Sequence, residues 1–407
     1  MIKLNLVKLM KKKLKLNKKI IFPVSIPYIS QQDINSVNKS LKSGWISSDG
    51  PDVIKFEDKF SKFVDRKFSV AVSSGTAALE IAVKALGIRK NDEVLIPNFT
   101  IISNALAVLK QNAKPVLVDC NLDNWNININ DIQKKITKKT KAIICPHIYG
   151  QMTNMSRLNS LKKKYNLFLI EDCAHAVESK YRGKHLGTFG DAGCFSFYST
   201  KNLTTGEGGM ILFKDSKLYN KAKIMSLHGL TKDAWNRKQI SENNKDKNET
   251  FHYDVKEIGY KYNLTDLNAS MGLVQLGKLE KNLKKRKILF NLYCKQLKNL
   301  PLKGQNFDTK KNRHGYHLFI TTLDKSKTNK SRDDLFKYLT LNKIGCGINY
   351  RSVTDMTAFR KYFNWNDVTC PKSKIVGDNT ISLPLYPTLK TSEVNYICKK
   401  IIYFFMN

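Results

Sequence analysis

No apolar run in this sequence reaches the roughly 18 residues that a membrane-crossing helix needs, so no span is expected. The first 19 residues are basic, but lysines interrupt their apolar positions. They have neither the continuous apolar centre nor the small-residue cleavage site of a secretory leader. The eight cysteines (Cys120, Cys145, Cys173, Cys194, Cys294, Cys346, Cys370 and Cys398) form no CxxC pair and no zinc spacing. The seven histidines are equally scattered, so no metal site is expected, and the thiols read as small core residues of a protein in reducing cytoplasm. Acidic residues are few, 34 against 70 basic ones, leaving a net charge of +36. The excess is mostly lysine spread along the whole chain, a compositional bias more than a patch. Zinc-finger spacing, an aromatic RNA-binding box and a compact basic recognition helix are all missing, so nucleic acid is not the expected partner. Charge and tail alone leave a basic nucleic-acid or membrane-surface binder as the alternative. The same charge suits a small anionic substrate, drawn to a positive cleft.

The 407 residues, 42% of them hydrophobic, suffice for two domains and a sizeable core. Apolar spacing predicts helices over 31–43, with Ser30 as cap, and over 53–64. A strand follows at 69–72, then Ser73–Ser74–Gly75–Thr76, then an apolar helix over 77–86. Beyond it short apolar strands at 93–97, 115–119, 142–146 and 167–170 alternate with helices at 100–109, 131–135 and 155–165. This rhythm predicts a mainly parallel sheet covered by helices on both faces. Further strands fit 193–196 and 210–213, and residues 231–252 read as a polar excursion. A long helix from Leu267 toward Pro301 carries the domain boundary. Strands at 317–323 and 347–350 and helices at 332–341 and 391–405 then suggest a smaller α+β domain. The division expected is a basic tail (1–19), a large domain (20–270) and a small domain (271–407).

Ligands of parallel sheets bind beyond the carboxyl ends of the strands. Ser74–Thr76, Pro97–Thr100, His147–Gly150 and Asp172–His175 all fall there. The richest stretch is 171–209, opening with Glu171, Asp172 and His175 and closing on Lys201 amid small polar residues. An acid and a lysine some thirty residues apart can form a surface ion pair or the two ends of a cofactor site. Pyridoxal phosphate requires an unprotonated lysine, a carboxylate for its pyridine nitrogen, and N–H and hydroxyl donors for its phosphate. Lys201, Asp172, the Gly75/Thr76 helix start and Ser196 are the residue types in question.

Four ordered motifs resemble the DegT/DnrJ/EryC1/StrS family of sugar aminotransferases: SSGTAALEIAV, EDCAHAVESKYRGKHLGTFGDAGCFSFYSTKNLTTGEGGM, GYKYNLTDLNASMGLVQL and ISLPLYPTL. The resemblance runs from about Pro27 to the C-terminus. It implies the aspartate-aminotransferase-like fold (PLP-dependent transferase fold type I), α/β with a large mixed-sheet domain and a smaller α+β domain, and a homodimer with shared active sites. It implies Lys201 as the Schiff-base and proton-transfer residue, Asp172 on the pyridine nitrogen and His175 against the cofactor. Gly75, Thr76 and Ser196 would hold the phosphate, with Asn263 reaching it from the other subunit. The implied reaction passes an amino group from glutamate, through pyridoxal 5'-phosphate, to a nucleotide-linked keto-sugar.

Within the family, SGWISS, HGLTKDAW, GYKYNLTD and IGCGINYR are similar to enzymes acting on UDP-4-keto sugars, and a 4-amino product is favoured. Trp45, Arg237, Tyr350 and Arg351 are the candidates for the substrate mouth, with packing or surface roles as their alternative. Three positions depart from the usual pattern. Ile101 stands where many relatives have an aromatic residue, with Phe99 nearby; Ser199 replaces a proline; Asn349 stands where some have histidine. Dehydratases of the family lack the lysine, so Lys201 argues against that outcome. A dehydratase or a regulator with a vestigial site remains the alternative within the fold.

Overall fold

The computed structural model describes residues 21–48, 50–231, 254–307, 310–363, 365 and 369–407. The basic tail, Arg237 and nearly all of the 231–252 excursion lie outside the described residues. The chain begins with two helices, α1 (Gln31–Ser43) and α2 (Pro51–Val64). A doubly wound unit follows: β1 (Phe68–Val72), α3 (Gly75–Ala85), β2 (Glu93–Pro97), α4 (Ser103–Leu109), β3 (Lys114–Val118), α5 (Ile129–Lys135), β4 (Thr140–Pro146), α6 (Met155–Tyr165) and β5 (Phe168–Asp172). Next come β6 (Ala192–Ser196), β7 (Gly209–Phe213), α7 (Ser216–Ser226) and the long α8 (Asp266–Leu297).

These seven strands form one sheet in the order β1-β7-β6-β5-β4-β2-β3. Only β7 runs against its neighbours β1 and β6. The remaining neighbouring pairs are parallel. Side chains alternate along each strand. Ala71, Leu95, Ile143, Leu169, Phe195 and Met210 enter a core closed by α2 and α6. Val72, Ile96, Ile144, Ile170, Cys194 and Ile211 enter the core under α3, α4 and α7. Both faces are therefore dry, which is why these strands read as short continuous apolar runs. Helix α3 is apolar nearly all round because it lies in the centre of its layer.

The first half of α8 packs on the N-terminal helices. Asp266 caps α2 by accepting from the Val53 N–H at 2.8 Å, and Gln275 reaches Asp33. Its second half, from Leu283 to Leu297, enters a third core. That core includes a small antiparallel sheet, in which Phe319–Leu323 is flanked by Leu302–Lys303 and Thr380–Leu383, and the helices Arg332–Leu341 and Thr391–Met406. Phe22 also packs there; its backbone bonds Lys343 and Gly345, and that of Val24 bonds Leu385.

Two expectations need correction. The helix expected from Thr100 begins at Ser103. Thr100 and Ile101 instead turn into the cavity described below, and the Thr100 hydroxyl accepts from Asn104 Nδ2 at 2.7 Å. The strand expected over 347–350 is a single bridge, Gly347 to Ser382. The chain then leaves the sheet so that Tyr350 reaches the cavity. Among the described residues no helix is long and apolar enough to cross a membrane.

Candidate active site

A cavity of about 240 Å³ opens at the carboxyl ends of the central strands. The strand ends that the sequence singles out converge on it: Ser74–Thr76 after β1, Thr100 and Ile101 after β2, His147 and Ile148 after β4, Asp172–His175 at β5 and Ser196 at β6. Lys201, on the loop between β6 and β7, completes the wall.

One end of the cavity is built for an anion. Ser74 is the N-cap of α3, its hydroxyl accepting from the Ala77 N–H at 3.0 Å. The N–H groups of the first turn beyond it have no helical partner and carry the positive end of the helix dipole. Thr76 Oγ1 lies 2.9 Å from Ser103 Oγ, and both hydroxyls line the cavity with Ser196. Gly75 makes the close approach possible, since a Cβ there would stand 2.7 Å from Ser196 Cβ. Ser103 has no sequence signal of its own, because helical spacing runs from Thr100 across it although the helix begins only at Ser103.

The other end holds the charged pair. Asp172 is buried and accepts from the Ala174 N–H at 3.1 Å. Burial raises its pKa, opposed by that bond, the charge of Lys201 and Asn104. The Lys201 side chain is only half-buried, but its amine is poorly hydrated, which lowers its pKa from 10.5 to about 8 against the pull of Asp172. A surface ion pair would show neither shift. The neighbouring acid, Glu171, points the opposite way, as alternation along β5 demands. Its oxygens accept from the backbone N–H groups of Gly187, Phe189 and Gly190 and face His147 at 3.1 Å. Donor atoms of His147, Glu171 and Cys173 lie within 4.8 Å of one another, but Glu171 is already saturated by these bonds.

His175 forms the back wall. Its Nδ1 accepts from the Tyr149 N–H at 3.2 Å, so the proton sits on Nε2, 3.0 Å from the Tyr350 hydroxyl. Burial, and then the charge of Lys201, lowers its pKa well below the usual range. The ring is neutral and stacks on Tyr149, His317 and Tyr350.

The substrate candidates are placed unevenly. Tyr350 lines the cavity; Trp45, Arg351 and Asn263 do not line it within this chain. Trp45 follows α1, its carbonyl accepting from Ser40. Arg351 is exposed beside Asp355 at 3.9 Å. Asn263 bridges to Val72 at the sheet edge and accepts from Lys261 Nζ at 2.8 Å. Glu207 and Tyr198 line the cavity without having been singled out. The only sequence signal for Glu207 was its place among glycines.

The DegT/DnrJ/EryC1/StrS aminotransferase family matches residues 27–402. The chain is 35% identical to the spore coat polysaccharide biosynthesis protein SpsC of Bacillus subtilis, over 93% of this chain and 96% of that one. It is 34% identical to the GDP-perosamine synthase of Escherichia coli O157:H7, over 94% and 98%. Its structure superposes with a TM-score of 0.85 on a putative sugar aminotransferase of Streptococcus pneumoniae, PMP-form. That pair is 30% identical, covering 93% of this chain and 97% of the other.

Proposed function

We infer that this chain, which belongs to the DegT/DnrJ/EryC1/StrS aminotransferase family, passes an amino group from glutamate to the keto carbon of a nucleotide-linked sugar. It is a pyridoxal phosphate-dependent sugar aminotransferase of fold type I. The cavity suits that cofactor on its own evidence: an anion cradle that a Cβ would fill, a desolvated lysine and a buried carboxylate share one space. That conjunction carries the assignment of residues.

When bound, the cofactor supplies a carbonyl that takes the amino group and a ring that withdraws electrons. Gly75 and Thr76, with the hydroxyls of Ser103 and Ser196, would hold its phosphate. Asp172 would keep the pyridine nitrogen protonated. His175, whose Nε2 proton is directed at Tyr350, would fix the ring from one side, and Ile101 would pack on it in place of an aromatic residue. Lys201 would hold the cofactor at its carbonyl and, with its amine neutral, would serve as the acid/base that moves the reaction's protons. A pKa near 8 suits both tasks, since a fraction of the amine is neutral at ordinary pH.

The remaining parts of the reading concern the acceptor and the assembly. We assign the chain to a homodimer in which Asn263 completes the partner's phosphate site, which accounts for its position outside its own cavity. Trp45, Arg237, Tyr350 and Arg351 remain the substrate-side candidates. A UDP-linked 4-keto sugar is the favoured acceptor; likeness to a GDP-perosamine synthase keeps a GDP-linked sugar as the second reading. Residence in the cytoplasm accords with eight free cysteines, six of them buried.

The test is direct. Protein supplemented with cofactor should show a visible absorption band that glutamate bleaches and that K201A lacks. UDP- and GDP-linked keto-sugars are then screened with glutamate by mass spectrometry for the amino product. Absence of the band in the wild-type protein refutes the assignment of the cavity. A band that no amino donor alters favours a vestigial site.

A further inference from the structure

Behind the cavity, outside its lining, lies a buried polar relay. Glu178 is fully buried. Both of its oxygens face a single donor, Asn202 Nδ2, at 3.1 and 2.9 Å. The same nitrogen donates to the Gly315 carbonyl at 2.7 Å. With only acceptors on that side, the amide stands one way round, and its Oδ1 faces His317 Nδ1 at 3.1 Å. An amide oxygen only accepts, so Nδ1 of His317 carries the proton. The His317 ring stacks on His175, with centroids 4.2 Å apart and planes inclined by 23°.

Both ends of the relay therefore stop at the cavity. Asn202 is the covalent neighbour of Lys201, and His317 supports His175 from behind. The segment that brings His317 here is threaded tightly: Gly315 N–H donates to the Gly150 carbonyl, His317 N–H to the Tyr149 carbonyl, and a Cβ on Gly315 would stand 2.7 Å from Ser179 Oγ.

We propose that Glu178 is a positioning residue, whose carboxylate orients Asn202 and so fixes both the backbone that carries Lys201 and the ring that backs His175. The proposal rests on the reading of Lys201 and His175 given above.

A carboxylate suits this task because either of its oxygens can accept from the Asn202 amide, while the Gly315 carbonyl beside it accepts from the same nitrogen and keeps the amide one way round. Packing alone would favour an apolar side chain, since burying the charge is costly. That cost shows in its pKa, which burial pushes from 4.5 to about 7 against the bond from Asn202. Two cations offset it from neighbouring elements. Arg286 on α8 donates to the carbonyls of His317 and Leu385 at 3.1 and 2.9 Å. Arg313 donates to Glu178's own carbonyl at 2.6 Å. The nearby His317 is held neutral by burial.

The experiment compares wild type, E178A, E178Q and N202S as holoenzymes. It reads melting temperature, the circular dichroism of bound pyridoxal phosphate (which reports ring orientation), and kcat and KM for the amino donor. E178A and N202S are expected to weaken the dichroic band and to lower kcat about tenfold or more, with KM within about threefold. E178Q keeps an acceptor toward Asn202 and should recover most of both. N202S removes the amide from the other end of the contact, leaves a hydroxyl able to donate to Glu178, and carries the same reading if E178A does not fold. Wild-type dichroism with kcat within about twofold in folded E178A or N202S overturns the proposal, as does an E178Q no better than E178A. A wild type without any cofactor signal would overturn the assignment of the cavity instead, so the two failures are distinct.

Discussion

Gly75 and Ser196 touch across the cavity floor: a Cβ on the glycine would stand 2.7 Å from the serine's Cβ and 3.2 Å from its Cα. The serine ends a central strand, so its backbone cannot retreat without disturbing the sheet. Gly75→Ala is expected to weaken pyridoxal phosphate binding about tenfold or more and to cost about 1–3 kcal/mol of stability. Equilibrium dialysis and denaturant unfolding measure the two effects. Unchanged affinity would mean that the phosphate is not held at Gly75.

Lys201 makes the cofactor-free protein less stable at neutral pH. Its pKa is about 8 in the folded chain against 10.5 as a model value. Between those values the unfolded chain binds more protons, so the stability contributed by this group rises with pH there, and the penalty is complete below about 8. Lys201→Met should therefore stabilise the apoprotein at pH 7, by an increment that shrinks as the pH approaches 10.5. Urea unfolding across that range decides it; an increment independent of pH contradicts the desolvated lysine.

Asp172→Asn keeps the shape of the site and removes the negative charge. Cofactor binding should persist, because the phosphate cradle is untouched. Turnover should fall on the order of a hundredfold or more, the scale of a lost proton-holding group. Single-turnover bleaching with glutamate separates the two. Full activity in the variant would mean that another group protonates the pyridine.

Tyr350→Phe deletes the oxygen 3.0 Å from His175 Nε2 while leaving the near-parallel rings, inclined by 3°. The buried Nε2 proton then lacks its acceptor, at a cost of about 1–3 kcal/mol. We expect a lower melting temperature and a raised KM for the sugar, with the KM for glutamate less affected. Equal changes in both KM values would place Tyr350 away from the sugar side.

Glu80 lies buried in α3, bonded to Lys110 at 2.9 Å and to the Tyr262 hydroxyl at 2.8 Å. Tyr262 precedes Asn263, so this contact holds the segment that we assign to the partner's site. Lys110 is half exposed, which limits the worth of the ion pair. Glu80→Ala should cost about 1–2 kcal/mol and speed amide exchange at residues 260–263. An unchanged exchange rate there would separate Glu80 from the placement of Asn263.

Much of the large sheet was legible because its strands are short apolar runs closed by turn residues, and four of their ends carry polar motifs. The helix after β2 was misplaced because Thr100 and Ile101 keep helical spacing but are drawn into the cavity. The strand over 347–350 failed for a related reason: its apolar and polar alternation fits a strand, yet Tyr350 is needed at His175. Glu178, Asn202 and His317 passed unnoticed. A buried acid within an otherwise ordinary motif has no periodicity to announce it, and its partners are far away along the chain.

The sequence by itself determined the alternation of strand and helix, the strand ends that bear chemistry, and the presence of a lysine, an acid and a Ser-Gly-Thr turn. It did so because burial period and capping are local properties, written within a few residues. Only the tertiary structure decided that Glu171, behind the cavity, turns to the backbone amides of Gly187, Phe189 and Gly190. It also decided that Asn202 stands one way round, and that His317 of the C-terminal part lies against His175. Those outcomes depend on which surfaces meet after long crossovers, and no local pattern encodes which side chains will be neighbours there.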